Sequence, residues 1–367
     1  MDSHNKKISK IVITGGPCAG KTTAMSRIQG AFSKKGYAVL FVPETATELI
    51  LGGIAPGSCP SNLHFQKYLL SLQIEKERIF YMAAKEMKAE KVLIVCDRGL
   101  LDNKSYMKKE EFLQLLSLLG KNEVEMRDGY DAVFHLVTAA KGAEEFYTLA
   151  NNGARTESAE EAAAIDNKLI SAWTGHPHLR IIDNSCDFET KMHRLISEIS
   201  GFLGEPEPYE IERKFLIRYP DTAMLERMEH CRKVQIMQTY LKSSDADEVR
   251  IRQRGMDGNY TYYKTRKKKA GGIRRLETEE RLSREQYLRL LMDADPRCRP
   301  IQKDRYCLTY KNQYFEIDIY PFWDHQAIME IELSDEAEQV EIPDFLEVIK
   351  EVSGEERFKN YSLALHI

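Results

Sequence analysis

From residue 209 onward the chain alternates apolar and charged positions. Ile211 lies between Glu210 and Glu212, Ile251 between Arg250 and Arg252, Ile317 between Glu316 and Asp318, and Ile331 between Glu330 and Glu332. A period of two puts the apolar residues on one face of a β-strand and the charges on the other. The pattern predicts short strands over 209–218, 233–242, 247–254, 259–268, 273–282, 303–311, 313–320 and 327–334. Eight antiparallel strands commonly close on themselves and so remove their edges. The first two hundred residues read differently. Apolar runs at 11–14, 37–42, 91–96, 132–137 and 179–182 alternate with helical stretches at 22–34, 63–89, 108–119, 143–151 and 158–173. Such alternation predicts an α/β domain with a parallel sheet and crossover helices, followed by an α+β domain holding an eight-stranded antiparallel tunnel. Gly201, Gly204, Pro206 and Pro208 mark 201–208 as the linker, so the expected domains are 1–200 and 209–367.

The charges of the second half are sorted by sign. Carboxylates pair at Glu210 and Glu212, Glu277 and Glu279, Glu316 and Asp318, and Glu330 and Glu332; cations pair at Arg250 and Arg252, Lys264 and Arg266, and Lys303 and Arg305. A solvated sheet face is the plain alternative, but salt pairing on a surface does not need that sorting. If the charges face inward, the interior cannot be dry, because burying an unpaired ion costs several kcal/mol. Clustered carboxylates suit hard cations such as Mg²⁺ or Mn²⁺, and clustered Lys and Arg suit phosphate oxygens. A polyphosphate with bound metal satisfies both.

Glu210-x-Glu212-x-Lys214 at the start of this region, with the later pairs in order, resembles the CYTH superfamily, the triphosphate tunnel metalloenzymes, over roughly 207 to 365. The resemblance implies a tunnel whose metal ligands are Glu210, Glu212, Asp318, Glu330 and Glu332, with Glu277 and Glu279 serving metal or water. It implies phosphate binding by Lys214, Arg250, Arg252, Lys264, Arg266, Arg275, Lys303 and Arg305. Metal-assisted attack of water on a phosphoryl group is the implied reaction.

Near the start of the chain, the β-branched run Ile11 to Thr14 precedes Gly15-Gly16-Pro17-Cys18-Ala19-Gly20-Lys21-Thr22-Thr23 and a helical stretch. This is a Walker A motif in its strand, loop and helix context. Its backbone amides are expected to converge on the β-phosphate, Lys21 to reach the β and γ oxygens, and Thr22 to take a place on Mg²⁺. Ligands of an open parallel sheet sit beyond the carboxyl ends of its strands. Glu44 and Asp97-Arg98 fall there, Asp97 as a Mg²⁺ ligand and Arg98 as a phosphate or substrate contact; helix capping or mutual pairing is the alternative. Asn151 to Thr156 reads as a lid bringing Arg155 over the phosphates. Asp183 and Asn184 fall where a nucleotide base would lie, although capping of the following turn competes for Asp183. His176 and His178 read as turn residues. Together these segments resemble, over roughly 8 to 200, the AAA_28-like P-loop family that joins NadR-type nicotinamide riboside kinases with the TRPL-translocation-defect proteins. A CYTH-like domain follows the P-loop domain in the second branch, for which GTP binding and phosphoinositide binding are implied.

Composition narrows the partners. A net charge of −4 does not indicate a bulk nucleic-acid binder. The run Lys264 to Lys269 reads as a solvated hairpin tip, or as a basic lip attracting polyphosphate or anionic lipid headgroups. Seven cysteines without a Cys-x-x-Cys pair fit a reducing cytosol, and no apolar stretch is long enough to span a bilayer, so a cytoplasmic protein is expected. The expected ligands are ATP or GTP in the first domain and a triphosphate or polyphosphate in the second. Three roles are open: coupled NTPase and triphosphatase, GTP-controlled regulatory binder, or small-molecule kinase with Glu44 and Asp97-Arg98 at the acceptor.

Overall fold

The computed structural model describes residues 6–144, 158–205, 209–243, 248–271, 274–333 and 338–365. The chain divides into two compact units, Met1–Ser197 and Glu198–Ile367.

The first unit is built on five parallel strands: β1 (Lys7–Gly15), β2 (Ala38–Val42), β3 (Lys91–Asp97), β4 (Ala132–Leu136) and β5 (Leu179–Ile182). Their order is β2-β3-β1-β4-β5. Ile11, Val12 and Ile13 of β1 and Val92 to Cys96 of β3 are fully buried, as continuous apolar runs covered on both faces should be. Helices α1 (Lys21–Lys34), α2 (Thr45–Leu51), α3 (Asn62–Glu86), α4 (Lys109–Leu119), α5 (Glu123–Arg127), α6 (Ala159–Trp173) and α7 (Phe188–Leu203) connect and cover the strands. Ser61 caps α3 by accepting from the His64 N–H, and Ser158 and Glu161 form a capping box at α6. Chain order reverses about β1, which puts the ligand crevice beyond its carboxyl end. The expected strands and the helices at 22–34, 63–89, 108–119 and 158–173 are all present within a few residues. The expected helix at 143–151 lies almost entirely outside the described residues. Helix α7 extends through Leu203, so Gly201 is helical and not part of a linker.

The second unit holds β6 (Tyr209–Arg218), α8 (Thr222–Arg227), β7 (Cys231–Tyr240), β8 (Glu248–Met256), β9 (Asn259–Gly271), β10 (Arg274–Leu282), α9 (Arg284–Leu290), β11 (Ile301–Tyr310), β12 (Gln313–Ile319), β13 (Gln326–Leu333), β14 (Val348–Glu351) and α10 (Asn360–Leu365). The sheet runs β10-β9-β8-β7-β11-β12-β13-β6, and β10 pairs back onto β6. All pairings are antiparallel, so eight strands close into a barrel, with β14 pairing along 215–217 of β6, beyond the stretch that β10 takes. Phe215, Ile217, Ile317, Met329 and Ile331 turn outward and bury against Leu225 of α8 and Leu346. The opposite face of these strands and of β11 carries Lys214, Lys303, Arg305, Asp318 and Glu330. At one end this inner face becomes apolar. There Leu216, Tyr240, Ile301, Tyr320 and Ile328 pack against Val352, Phe358 and Leu363, so the C-terminal segment fills that end of the barrel.

Candidate functional sites

Gly15 leaves β1 with φ 148, and a Cβ there would lie 2.2 Å from the Leu136 carbonyl oxygen. Gly20 turns into α1 with φ 91, a left-handed value that only glycine adopts freely, and among the described residues no side chain caps the helix. The first-turn amides of α1 are therefore presented to an anion by their own loop. Lys21 Nζ lies across the loop, 3.1 Å from the Gly15 oxygen and 3.5 Å from that of Gly16. Burial, and then the Arg98 guanidinium, pull its ammonium down to about 8. An arriving phosphate would supply the counter-charge the loop lacks.

Glu44 and Asp97-Arg98 do converge beyond β2 and β3. Arg98 takes a left-handed φ of 70, with its N–H donating 3.1 Å to Ile13 O, and its guanidinium pairs with Glu44. Burial pushes the Glu44 carboxyl up, but Arg98 and the Thr47 hydroxyl more than offset it, leaving it below the usual carboxylate range. The pairing that competed with a functional role is thus realised for Glu44 and Arg98. Asp97 is different. Burial pushes its carboxyl up against the pull of Lys21, and its buried Oδ1 has no hydrogen-bond partner among the described residues. With the exposed Thr22, that oxygen fits a Mg²⁺ and its waters.

Two carboxylates that sequence reasoning missed complete the floor. Asp102 accepts from Thr14 Oγ1 at 2.7 Å and Trp173 Nε1 at 2.6 Å. Asp166, on α6, accepts from the Gly16 N–H at 3.0 Å and from Lys141 at 2.8 Å, and lies 3.0 Å from His135 Nε2. Both stand within runs whose spacing carries no signal, Asp102 behind the Asp97-Arg98 pair and Asp166 in an otherwise ordinary helix. Burial pushes the Asp166 carboxyl up, but His135 and Lys141 hold it well below the usual range. A folded value below the unfolded one contributes stability above the unfolded value and loses it as pH falls through the folded value. The melting-temperature gap between wild type and Asp166→Asn should therefore be flat above about pH 5 and shrink toward about pH 3. Calorimetry across that range checks it; a gap that widens in acid contradicts it.

Asp183 and Asn184 are occupied structurally. Asp183 accepts from the Ser185 hydroxyl and Arg194, both at 2.7 Å, as the capping alternative anticipates. Asn184 Nδ2 donates to the carbonyls of Thr138 and Lys141 at 2.8 and 2.7 Å. His176 is a buried turn residue bonded to the Tyr130 carbonyl at 3.1 Å. Arg155 lies outside the described residues.

In the barrel, the wall of β6, β11, β12 and β13 carries the carboxylates. Asp318 is fully buried, and Lys303 and Arg305 take both its oxygens, Arg305 Nε at 2.6 Å. It serves here as a counter-ion, where a metal ligand is expected. Arg305 also pairs with Glu316 and, at 3.1 Å, with Glu330; Lys214 pairs with Glu330 at 2.6 Å and Glu212 at 3.2 Å. Burial pushes the Glu330 carboxyl up, but Lys214 and Arg305 hold it well below the usual range. Burial and Arg305 pull Lys303 down to about 8.

The facing wall is cationic. Across β7, β8 and β9 the register sets Gln238 opposite Arg252 and Tyr263, and Tyr240 opposite Arg250 and Thr265. Residues directly opposite share a face, so Arg250, Arg252, Arg254 and Lys267 look inward together. Lys264 and Arg266 do not. They pair with Ile251 and Val249, whose side chains are buried outside with Leu282 and Tyr287 of α9. Both belong to the outer face, and Lys267 and Arg254 take the expected inner places. The cause is phase: residues 266–269 are charged at every position, so only the apolar residues of β8 can fix the face.

Glu279 accepts from Thr265 Oγ1 at 3.1 Å. The side chains of Glu210, Arg275 and Glu277, and those at the 268–271 tip, lie outside the described residues. Among the described residues no three Asp, Glu, His or Cys side chains form a metal cage. A pair does face the right way: Glu212 and Glu332 stand directly opposite across β6 and β13. Like charges so placed repel. A divalent cation relieves that repulsion and can take its remaining ligands from water and phosphate, so this pair fits Mg²⁺ or Mn²⁺ without a full protein cage.

No helix among the described residues is long and apolar enough to cross a membrane. No curated protein matches the chain. Similar solved structures include one titled the inorganic triphosphatase NE1496, 29% identical, covering 43% of this chain and 95% of that one at a TM-score of 0.30. The PH1819 protein of Pyrococcus horikoshii OT3 is 18% identical, covering 35% and 80% at 0.27. A conserved hypothetical protein of Pyrococcus furiosus is 19% identical, with coverages of 35% and 80% at 0.28. Residues 10–191 match the AAA domain family model and residues 208–359 the CYTH domain model. The chain belongs to the P-loop proteins of this AAA family fused to a CYTH domain, the triphosphate tunnel fold whose enzymes use divalent metal ions.

Proposed function

We propose that the first unit binds ATP or GTP on Gly15 to Thr23 and hydrolyses or transfers its terminal phosphoryl group, and that the second unit binds and hydrolyses a triphosphate compound in its tunnel. The observation that carries this reading is the charged barrel interior: Glu212, Glu316, Glu330 and Glu332 stand on one wall with Lys214 and Arg305 among them, and Arg250, Arg252, Arg254 and Lys267 face them from the other. A linear triphosphate laid between them has its oxygens held by the cationic wall. The filled end makes the ligand enter from the other, with a terminal phosphoryl leading. Glu212 and Glu332 would hold Mg²⁺ or Mn²⁺, which when bound supplies charge neutralisation at the phosphoryl oxygens. Lys214 and Arg305 fix the carboxylates beside it. In the first unit Lys21 steers the β and γ oxygens, and Asp97 with Thr22 would hold Mg²⁺.

Thermal shifts test both sites at once, because a ligand at about 100 times its Kd stabilises the folded state by about 2.7 kcal/mol. ATP or GTP with Mg²⁺ should raise the melting temperature of wild type and Lys267→Ala but not of Lys21→Ala. Tripolyphosphate should raise that of wild type, Lys21→Ala and the outward Lys264→Ala, and fail on Lys267→Ala. No shift of wild type with any of these ligands would sink the reading.

A second reading for the first unit, transfer to a small hydroxylated acceptor, has one observation in its favour. Buried polar atoms on the segments flanking the Glu44 and Arg98 pair, Thr45 Oγ1, Gln66 Oε1 and Ser105 Oγ, have no partner among the described residues. Mass detection of a phosphorylated product, in place of bare phosphate, would select it.

A further inference from the structure

Asp166 lies on α6, 150 residues along the chain from the phosphate loop, yet its Oδ1 accepts the Gly16 N–H at 3.0 Å. The same oxygen accepts the Thr138 N–H at 3.2 Å and lies 3.0 Å from His135 Nε2, while Oδ2 accepts from Lys141 Nζ at 2.8 Å. The side chain is fully buried. His135 Nδ1 is also buried and has no partner among the described residues, so the hydrogen-bond network assigns the ring proton to Nε2, donated to Asp166. One carboxylate thus ties together three separate segments: the loop, the end of β4, and α6.

The joint is reinforced around it. Thr138 Oγ1 donates to the Pro17 carbonyl, Asn184 Nδ2 bonds the Thr138 and Lys141 carbonyls, and buried Lys191 donates to Asn184 Oδ1 at 2.6 Å. Gly16 is closely hemmed in, since a Cβ there would lie 3.0 Å from Asp166 Oδ1 and 3.1 Å from Thr138 Cβ. A buried carboxylate beside an anion-binding loop opposes the ligand by its charge. Four donors offset that field, and what the carboxylate supplies in return is position. The Gly16 peptide is clamped, and with it the direction in which the following amides of the loop emerge.

We propose that Asp166 is a positioning residue that sets the geometry of the phosphate loop, and so the affinity of the first unit for nucleotide, without touching the nucleotide itself. The proposal rests on the nucleotide-binding reading above. Its test compares Asp166→Asn, which keeps an acceptor toward Gly16 and Thr138, with Asp166→Ala, which keeps none. Glu77→Gln is the stability control, a buried carboxylate on α3 bonded to Tyr130 at 2.7 Å and Lys10 at 3.1 Å. Two quantities are read at a temperature where every variant is folded: the Kd for Mg²⁺ with ATP or GTP by calorimetry, and amide exchange of the Gly15 to Gly20 segment without nucleotide.

Asp166→Ala should weaken binding by about tenfold or more and speed loop exchange, in keeping with the cost of misplacing binding groups. Asp166→Asn should fall between it and wild type, and Glu77→Gln should leave both readouts within about twofold of wild type. Unchanged affinity and exchange in Asp166→Ala, or equal losses in Glu77→Gln, would overturn the proposal. If wild type binds neither nucleotide, the nucleotide reading falls. Loop exchange then decides separately whether Asp166 clamps the loop.

Discussion

Lys21→Ala should lower nucleotide affinity by about 10- to 100-fold and any turnover of the first unit by about 10²- to 10³-fold, while leaving the protein folded. The first figure follows from losing charge-assisted hydrogen bonds to phosphate, worth roughly 1.5–3 kcal/mol. The second follows from losing a preorganised donor where charge develops. Folding should survive because Lys21 forms no carboxylate salt bridge among the described residues. Among the described residues its ammonium bonds two loop carbonyls, those of Gly15 and Gly16, and burial already disfavours its charged form. Calorimetric titration with nucleotide, alongside the melting temperature, checks both halves. A variant that binds nucleotide like wild type, or that fails to fold, contradicts this account of the loop.

Arg305→Ala should have the largest effect on stability, about 3–5 kcal/mol, the usual cost of breaking a buried ion cluster by removing one partner. Arg305 is the hub of the acidic wall, in contact with Asp318, Glu316 and Glu330. Without it Asp318 keeps, among the described residues, only Lys303, and Glu316 and Glu330 repel across β12 and β13, where they stand directly opposite. Removing Asp318 as well should recover part of the loss, since the double variant no longer buries an under-compensated carboxylate. Urea unfolding of the two single variants and the double variant measures the coupling. Additive losses would show that the cluster is not a unit.

The sequence carried much of this architecture in the residues that bear periodicity. Ile11 to Thr14 with the glycines after it, and the Glu-x-Glu-x-Lys strand with its successors, located β1, the phosphate loop and the barrel, because buried runs and alternating faces are local patterns. What escaped was non-local. Lys264 and Arg266 belong to the outer face because β8 fixes the phase of β9, and no count along β9 alone reveals that in an unbroken charged run. Asp166 joins the first site through partners 25 or more residues away, and Asp102 is held there by Thr14 and Trp173 as well as by its neighbour Arg98. Asp318 reads as a metal ligand by motif, but two cations, one from each of two inward positions on β11, arrive at it first. Helix α7 was legible after all, since Met192, Leu195, Ile199 and Leu203 recur at helical spacing and are buried. Gly201 inside it, with Gly204, Pro206 and Pro208 just beyond, drew the boundary too early.

We propose one chain with two separate triphosphate-handling sites, the second of them hydrolytic. Phosphate release from tripolyphosphate with Mg²⁺ or Mn²⁺, measured on wild type, Lys21→Ala and Glu212→Gln, tests it most directly. Lys21→Ala should release phosphate at the wild-type rate, whereas Glu212→Gln, still folded, should lose about 10²-fold or more. No release by wild type, or an equal loss in both variants, would contradict it.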